Sequence, residues 1–178
     1  ELFFFFLENE TALKILPSGP PLIGMHIGAK DRFKQWSPKH FSTLGQRLTK
    51  EKGATLILTG DQSEALLVEE VANTIPRALS VAGKLSVRET AALIEKCALF
   101  ITNDTGPMHL AFAMRTPTLA LFSPTNPKLC GPYKIEHGIA LAKAPTCTPC
   151  IQKKCQAPFC MEQFSPNSVY EKAHALLP

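Results

Sequence analysis

The sequence predicts an α/β fold, a Rossmann-like parallel sheet with helices on both faces. Two observations support this prediction. Apolar runs of strand length alternate with longer stretches of helical period along most of the chain. These runs are continuously apolar, which is typical of strands buried on both faces of a parallel sheet. The candidate strands are residues 21–26, 54–59, 78–81, 99–102, 116–122 and, as the weakest, 138–141.

Helices are predicted between these strands and after the last of them. Several have recognisable start signals: proline occupies the first helical position at Pro38, Pro107 and Pro166. Ser86 and Glu89 fit a capping box at the start of another helix. The candidate helices are residues 38–51, 63–75, 86–97, 107–114 and 166–177.

Length and composition are typical of one soluble globular domain with attached segments. The chain has 178 residues, 45% hydrophobic and 19% charged, which suits one core and argues against disorder. A net charge of +4 suits a phosphorylated ligand or an anionic membrane surface, but without a basic run it argues against nucleic acid. The apolar stretch at residues 2–7 is too short to span a membrane and lacks the features of a signal peptide. We therefore expect a cytoplasmic protein.

Two loops that follow predicted strands carry charged residues suited to a nucleotide. In residues 28–36, Lys30, Arg32 and Lys34 can offset a phosphate charge, although a solvated basic loop explains them equally well. In the next such loop, Glu64 stands in the first turn of a helix. Nucleotide-binding sheets use a carboxylate in that region to hold ribose hydroxyls. The helix dipole alone also favours a glutamate there, so this position admits both interpretations.

A third loop, residues 103–107, ends a strand and begins a short helix. A helix N-terminus presents N–H groups and a partial positive charge that bind anions, and Gly106 lets a ligand approach the backbone. Simple capping by a polar side chain of this loop is the alternative. Because the carboxyl ends of parallel strands meet at one edge, the loops together predict a site for a nucleotide diphosphate. Residues 123–127 are expected to close it, and His109 either faces this ligand or belongs to the core.

A long motif begins in this third loop, Asp104-Thr105-Gly106-Pro107-Met108-His109-Leu110-Ala111, and is followed by Thr116-Pro117-Thr118 and Phe122-Ser123-Pro124-Thr125-Asn126-Pro127. With these motifs the sequence resembles glycosyltransferase family nine, the ADP-heptose:lipopolysaccharide heptosyltransferases, from about residue 23 to its end. The resemblance implies a GT-B architecture, in which a C-terminal domain holds the nucleotide-sugar and an N-terminal domain holds the acceptor and a carboxylate base. Only the C-terminal domain is matched.

By this resemblance each candidate residue takes a role in holding the donor. Lys34 would contact the diphosphate, Glu64 the ribose, Thr105 and Gly106 the phosphates through backbone N–H groups, and Asp104 and His109 the region of the sugar. The implied reaction is inverting transfer: an acceptor hydroxyl attacks the anomeric carbon as the nucleoside diphosphate leaves. No cofactor is required. The catalytic base is expected in the N-terminal domain, so this chain alone is expected to bind the donor without transferring the sugar.

Two positions depart from the family pattern, since Ile27 stands where proline is usual and Ser123 where glycine is usual. The donor sugar is therefore open, with ADP-heptose the expected donor and a lipopolysaccharide-core or other glycan the expected acceptor. Contact with the inner face of the cytoplasmic membrane is a further expectation. The rival hypothesis is a non-catalytic nucleotide-binding or regulatory α/β module. An epimerase with a dinucleotide cofactor is excluded, because Gly24 and Gly28 lack the G-x-G-x-x-G spacing.

Four cysteines, Cys147, Cys150, Cys155 and Cys160, form the pattern C-x2-C-x4-C-x4-C. Four thiolates can make a structural zinc site. Only the first pair has the usual spacing, and reduced thiols or disulfides formed on purification are the alternative.

The expected organisation has three segments. Residues 1–19 are an interdomain linker or the end of an N-terminal domain, residues 20–160 the donor-binding domain, and residues 161–178 a C-terminal helix. The phenylalanine run at residues 3–6 either packs against the N-terminal domain or touches a membrane.

Overall fold

The computed structural model describes residues 20–131, 137–151, 154–155 and 159–177. The phenylalanine run and the proposed linker, residues 1–19, lie outside these ranges. The described strands form one six-stranded parallel sheet in the order β3-β2-β1-β4-β5-β6. They are β1 (Leu22–His26), β2 (Thr55–Thr59), β3 (Ala78–Ser80), β4 (Leu99–Asn103), β5 (Thr118–Phe122) and β6 (Gly138–Ala142). The predicted α/β class and all six predicted strands are confirmed.

Helices connect these strands and follow the last of them. All the predicted helices are present at nearly the predicted positions, and one short helix after the fifth strand was not predicted. The helices are α1 (Pro38–Lys52), α2 (Ala65–Asn73), α3 (Val87–Glu95), α4 (Gly106–Ala113), α5 (Pro127–Cys130) and α6 (Pro166–Leu176). The capping box of Ser86 and Glu89 is present at α3. The helix expected from residue 63 begins instead with a short 3-10 turn over Gln62–Glu64, because a second capping box between Asp61 and Glu64 tightens this entry.

The apolar core of the described residues consists of one large cluster and three smaller ones. Strands β2, β4 and β5 are buried along their whole length. Helix α6 closes this core: Val169 and Ala173 are fully buried, and Arg47 of α1 stacks on the Tyr170 ring at 3.6 Å from its centre. The chain after β6 therefore returns to cover the sheet beside α1.

The strand order reverses between β1 and β4. From β1 the chain adds β2 and then β3 on one side of the sheet. It then crosses back, so that β4 pairs with the other side of β1. Such a switch point separates the loops after the two strands and opens a crevice at their carboxyl ends, where α/β proteins bind ligands. His26 and Asn103 are the last residues of these two strands.

Candidate functional site

A cleft of about 620 Å³ opens at this edge of the sheet. The loops after β1, β2, β3 and β4 all contribute to it, as expected for a crevice at the switch point. Its lining residues include five of the six predicted donor-binding residues, namely Lys34, Glu64, Asp104, Thr105 and Gly106. The predicted convergence of three separate loops on one site is therefore present in the structure.

Lys34 and Asp104 are joined directly across the cleft. The Lys34 Nζ donates to Asp104 Oδ2 at 2.7 Å, and the Asp104 side chain is only 6% exposed. The Thr125 hydroxyl donates to the same oxygen at 2.8 Å. Asp104 is therefore not a helix cap, since its carboxylate ties together the loops after β1, β4 and β5.

Asn103 holds the loop after β1 against the end of β4. Its amide nitrogen donates to the carbonyl oxygens of Ile27 and Gly28, both at 3.0 Å. Its side-chain oxygen accepts from the backbone N–H of Trp36 at 3.1 Å. Because Asn103 is fully buried, these three bonds determine where the loop carrying Lys34 lies. No motif in the sequence predicts this role for Asn103.

Glu64 lies close against the backbone of the loop after β1. A Cβ atom at Gly28 would overlap the Glu64 carboxylate, so only glycine allows this approach. The carboxylate accepts from the backbone N–H of Asp61 at 2.9 Å. Burial is the largest influence on this group and raises the pKa of Glu64 above its ordinary value. Glu64 is thus both a capping residue and a wall of the cleft, so the two interpretations of its position are compatible.

His26 is a cleft residue that the sequence analysis did not select. It lies at the carboxyl end of β1, lines the cleft, and has its Nδ1 3.0 Å from the hydroxyl oxygen of Thr59. Burial lowers the pKa of His26 to about 4, against a smaller opposing effect of Asp61. The imidazole is therefore neutral near pH 7, and it can form a hydrogen bond with a ligand as donor or as acceptor. One signal in the sequence could have identified His26: it is a polar residue at the carboxyl end of the first predicted strand, where ligands bind in such sheets.

The N-terminus of α4 forms one wall of the cleft. Thr105 is the N-cap residue, but its hydroxyl lies 3.3 Å from the Asn103 carbonyl oxygen instead of capping the helix. A Cβ added at Gly106 would meet no atom within 4 Å, so the backbone here is open to the cleft. Because Pro107 has no N–H to satisfy, the first turn presents the backbone of Thr105 and Gly106 to a ligand.

His109 is not brought into this group. It is exposed on α4 and is not among the residues that line the cleft. It also does not belong to the buried core, so neither sequence interpretation describes its position in the structure.

The four cysteines lie after β6, and no cysteine is among the lining residues of the cleft. Cys160 is buried, and its sulfur accepts from the backbone N–H of Thr146 at 3.3 Å. Across the described residues, which include all four cysteines, no three metal-ligating side chains are grouped so that they could hold an ion. The zinc alternative therefore gains no support from the described residues, and it stays a prediction.

The charges of the cleft differ from the sequence expectation of a cationic site. Its charged lining residues are the lysines Lys30 and Lys34 and the carboxylates Asp31, Asp61, Glu64 and Asp104. Lys34 is already paired with one of these carboxylates. An anionic group in this cleft would therefore depend on the α4 N-terminus together with the lysines, because the lysines alone give no excess of positive charge.

One side of the cleft is apolar. Val81, Leu85, Val87 and Leu110 line it, beside the polar edge formed by the loops after β1, β2 and β4. A ligand with a flat apolar group and a polar, anionic group would fit this cleft, with its apolar part on the apolar side and its anionic part at the polar edge. The fold and the cleft together define an α/β ligand-binding domain of the Rossmann type, with its site at the topological switch point.

The chain belongs to glycosyltransferase family 9 (heptosyltransferase), whose family model matches residues 7–160. Lipooligosaccharide heptosyltransferase 2 of Campylobacter jejuni is 26% identical over 200 residues, covering 98% of this chain and 62% of that protein. Lipooligosaccharide heptosyltransferase 2 of Haemophilus influenzae is 33% identical over 131 residues, covering 70% of this chain and 37% of that protein. The predicted family is confirmed.

A solved structure shares the fold. The glycosyltransferase family 9 protein from Veillonella parvula superposes with a TM-score of 0.83 at 25% identity, over 97% of this chain and 51% of that one. The sheet is thus the predicted Rossmann-like half of a GT-B glycosyltransferase. The chain spans about half of this solved structure and less than two thirds of the two curated relatives. No helix in the described ranges is long and apolar enough to cross a membrane.

Proposed function

We propose that this chain is the donor-binding domain of an inverting glycosyltransferase that uses a nucleotide-sugar, ADP-heptose, in lipopolysaccharide core synthesis. The observation that carries the proposal is the cleft at the switch point, where an open helix N-terminus, a partly buried lysine–aspartate pair and a carboxylate meet an apolar wall. Family membership supports the sugar, since the relatives are named heptosyltransferases of lipooligosaccharide or lipopolysaccharide.

Each part of the donor has a matching part of the cleft. The apolar wall suits the base, and Glu64 suits the ribose hydroxyls, because a carboxylate accepts hydrogen bonds from both of them. The backbone N–H groups of Thr105 and Gly106 suit the phosphates, with Lys34 beside them. Asp104 suits a hydroxyl of the sugar. The role of His109 near the sugar stays a prediction, since its exposed position gives it no support.

The chemistry proposed for this half is leaving-group stabilisation. As an acceptor hydroxyl attacks the anomeric carbon, negative charge grows on the departing nucleoside diphosphate. Fixed N–H groups and Lys34 stabilise that charge without reorganising. The attacking hydroxyl needs a general base, which the proposal assigns to the acceptor domain of the whole protein. The cytoplasmic location and the contact with the membrane surface belong to the same proposal.

Calorimetry with ADP tests the binding half of the proposal. We expect the chain to bind ADP and Lys34→Ala to weaken binding about tenfold or more, because a charge-assisted hydrogen bond contributes about 1.5–3 kcal/mol. Lys39→Ala is the matched control, since Lys39 is exposed on α1 and does not line the cleft. Equal affinity of the Lys34 variant and the wild type would remove Lys34 from the site. Failure of the wild type to bind ADP would reject the nucleotide.

A transfer assay separates the enzyme from the non-catalytic module. The chain is joined to the N-terminal half of the Campylobacter relative and incubated with ADP-heptose and a lipopolysaccharide-core acceptor. We expect transfer by the joined protein and none by this chain alone. A joined protein that folds and binds ADP but transfers no sugar would favour the regulatory alternative.

A further inference from the structure

We propose that Thr125, in the loop after β5, is a positioning residue that orients the Asp104 carboxylate toward a hydroxyl of the donor sugar. This inference rests on the proposed function, because it takes Asp104 as the sugar contact. Thr125 does not itself line the cleft, whereas Asp104 does. Thr125 would therefore influence the ligand only through Asp104.

The two donors to Asp104 fall on one oxygen. Lys34 Nζ lies 2.7 Å and the Thr125 hydroxyl 2.8 Å from Oδ2. An ionised carboxylate has about four acceptor positions and no donor. Neither bond occupies Oδ1, so this oxygen can accept a hydrogen bond from a ligand hydroxyl.

These donors come from different parts of the chain, which makes the orientation of the carboxylate definite. Lys34 follows β1 and Thr125 follows β5, so rotation of the Asp104 side chain would break bonds to both loops. Lys34 alone holds the carboxylate less firmly, because its long stem retains several rotatable bonds. Thr125 is stiffer, since its side chain is β-branched and its loop contains Pro124 and Pro127, whose φ angles are restricted.

The arrangement separates two contributions to donor binding. The proposed contacts with the base and ribose involve the apolar wall and Glu64, and those with the phosphates involve the α4 N-terminus and Lys34. The Thr125 hydroxyl bonds to Asp104 and to none of these groups, and Lys34 keeps its own bond to Asp104 when that hydroxyl is removed. A contact with the sugar involves Asp104 and so depends on Thr125. Loss of the Thr125 hydroxyl should therefore reduce the affinity gained from the sugar and leave the affinity for the nucleoside diphosphate unchanged.

The test compares ADP with ADP-heptose by calorimetry on the 178-residue chain and two variants. Thr125→Val keeps the shape and removes the hydroxyl, and Thr125→Ser keeps the hydroxyl. We expect equal ADP affinity in all three proteins. We expect the ratio of ADP-heptose affinity to ADP affinity to fall about tenfold in Thr125→Val, as for one hydrogen bond, and to be restored in Thr125→Ser.

Each other outcome has a definite meaning. An equal loss for ADP and ADP-heptose in Thr125→Val would assign Thr125 a general structural role and overturn the inference. An unchanged ratio in Thr125→Val, or no recovery in Thr125→Ser, would also overturn it. Wild-type protein that binds ADP but gains nothing from the sugar would overturn the sugar contact while sparing the nucleotide site. Only a failure to bind ADP at all would overturn the proposed function as well.

Discussion

Replacement of Asn103 by leucine should destabilise the fold and loosen the cleft together. Leucine has the same number and branching of heavy side-chain atoms as asparagine, although it is bulkier, and it has no polar atoms. The variant would leave the carbonyl oxygens of Ile27 and Gly28 and the N–H of Trp36 without their present partner in a buried site. At about 1–1.5 kcal/mol for each lost bond, we expect the free energy of unfolding to fall by about 3–5 kcal/mol. Domains of this kind are stable by about 5–15 kcal/mol, so most of the variant should still fold.

Urea titration followed by far-UV circular dichroism and by the fluorescence of Trp36, the single tryptophan, measures this loss. Asn167→Leu is the control, because Asn167 is exposed and accepts one bond from Arg47; its effect should stay within about 0.5 kcal/mol. The folded fraction of the Asn103 variant should also bind ADP more weakly, since the loop that carries Lys34 has lost its anchor. A destabilisation below about 1 kcal/mol, or unchanged ADP affinity, would refute this account of Asn103.

Three further results are expected. Gly106→Ala should keep the free energy of unfolding, since its Cβ would meet no protein atom, yet weaken ADP binding at least fivefold by calorimetry; unchanged affinity would mean that no ligand approaches there. Because burial lowers the pKa of His26 to about 4, the unfolded chain takes up a proton between pH 6.5 and 4 that the folded protein excludes. Stability should therefore fall by about 3 kcal/mol across this window, and urea titrations of His26→Gln should show a smaller fall. The double variant Cys147→Ser/Cys150→Ser should bind ADP with unchanged affinity, because no cysteine lines the cleft.

The fold was predictable because its signals are local and agree with one another. Continuous apolar runs, proline at helix starts and one capping box each arise within a few residues, and each has the expected counterpart in the structure. The short helix α5 escaped prediction since four residues are too few to show a period. The 3-10 turn before α2 was not predicted either. The sequence pattern does not distinguish a 3-10 turn from the first turn of an α-helix, and the capping box of Asp61 and Glu64 is a start signal for both.

The site was predictable only to the level of its loops. Strand ends identify which loops meet, and five predicted residues line one cleft for that reason. Asn103 and Thr125 could not be selected in the same way, because their roles consist of bonds to residues distant in sequence. Asn103 reaches back to Ile27 and Gly28, and Thr125 reaches Asp104 from the loop after the next strand along the chain. The sequence shows that these residues are polar and able to form hydrogen bonds, but it does not show which distant residues are their partners.

The pairing of Lys34 with Asp104 shows why charge counted along a loop is a poor measure of charge in a site. The sequence places three cations between residues 30 and 34, but one of them is neutralised by a carboxylate seventy residues away in the chain. Backbone N–H groups have no such competitor, because Pro107 and the turned-away Thr105 hydroxyl leave the α4 N-terminus open. For the proposed donor, the helix N-terminus would therefore be the main anchor of the diphosphate, with Lys34 beside it, and the Asp104 carboxylate would offer its remaining oxygen to the sugar.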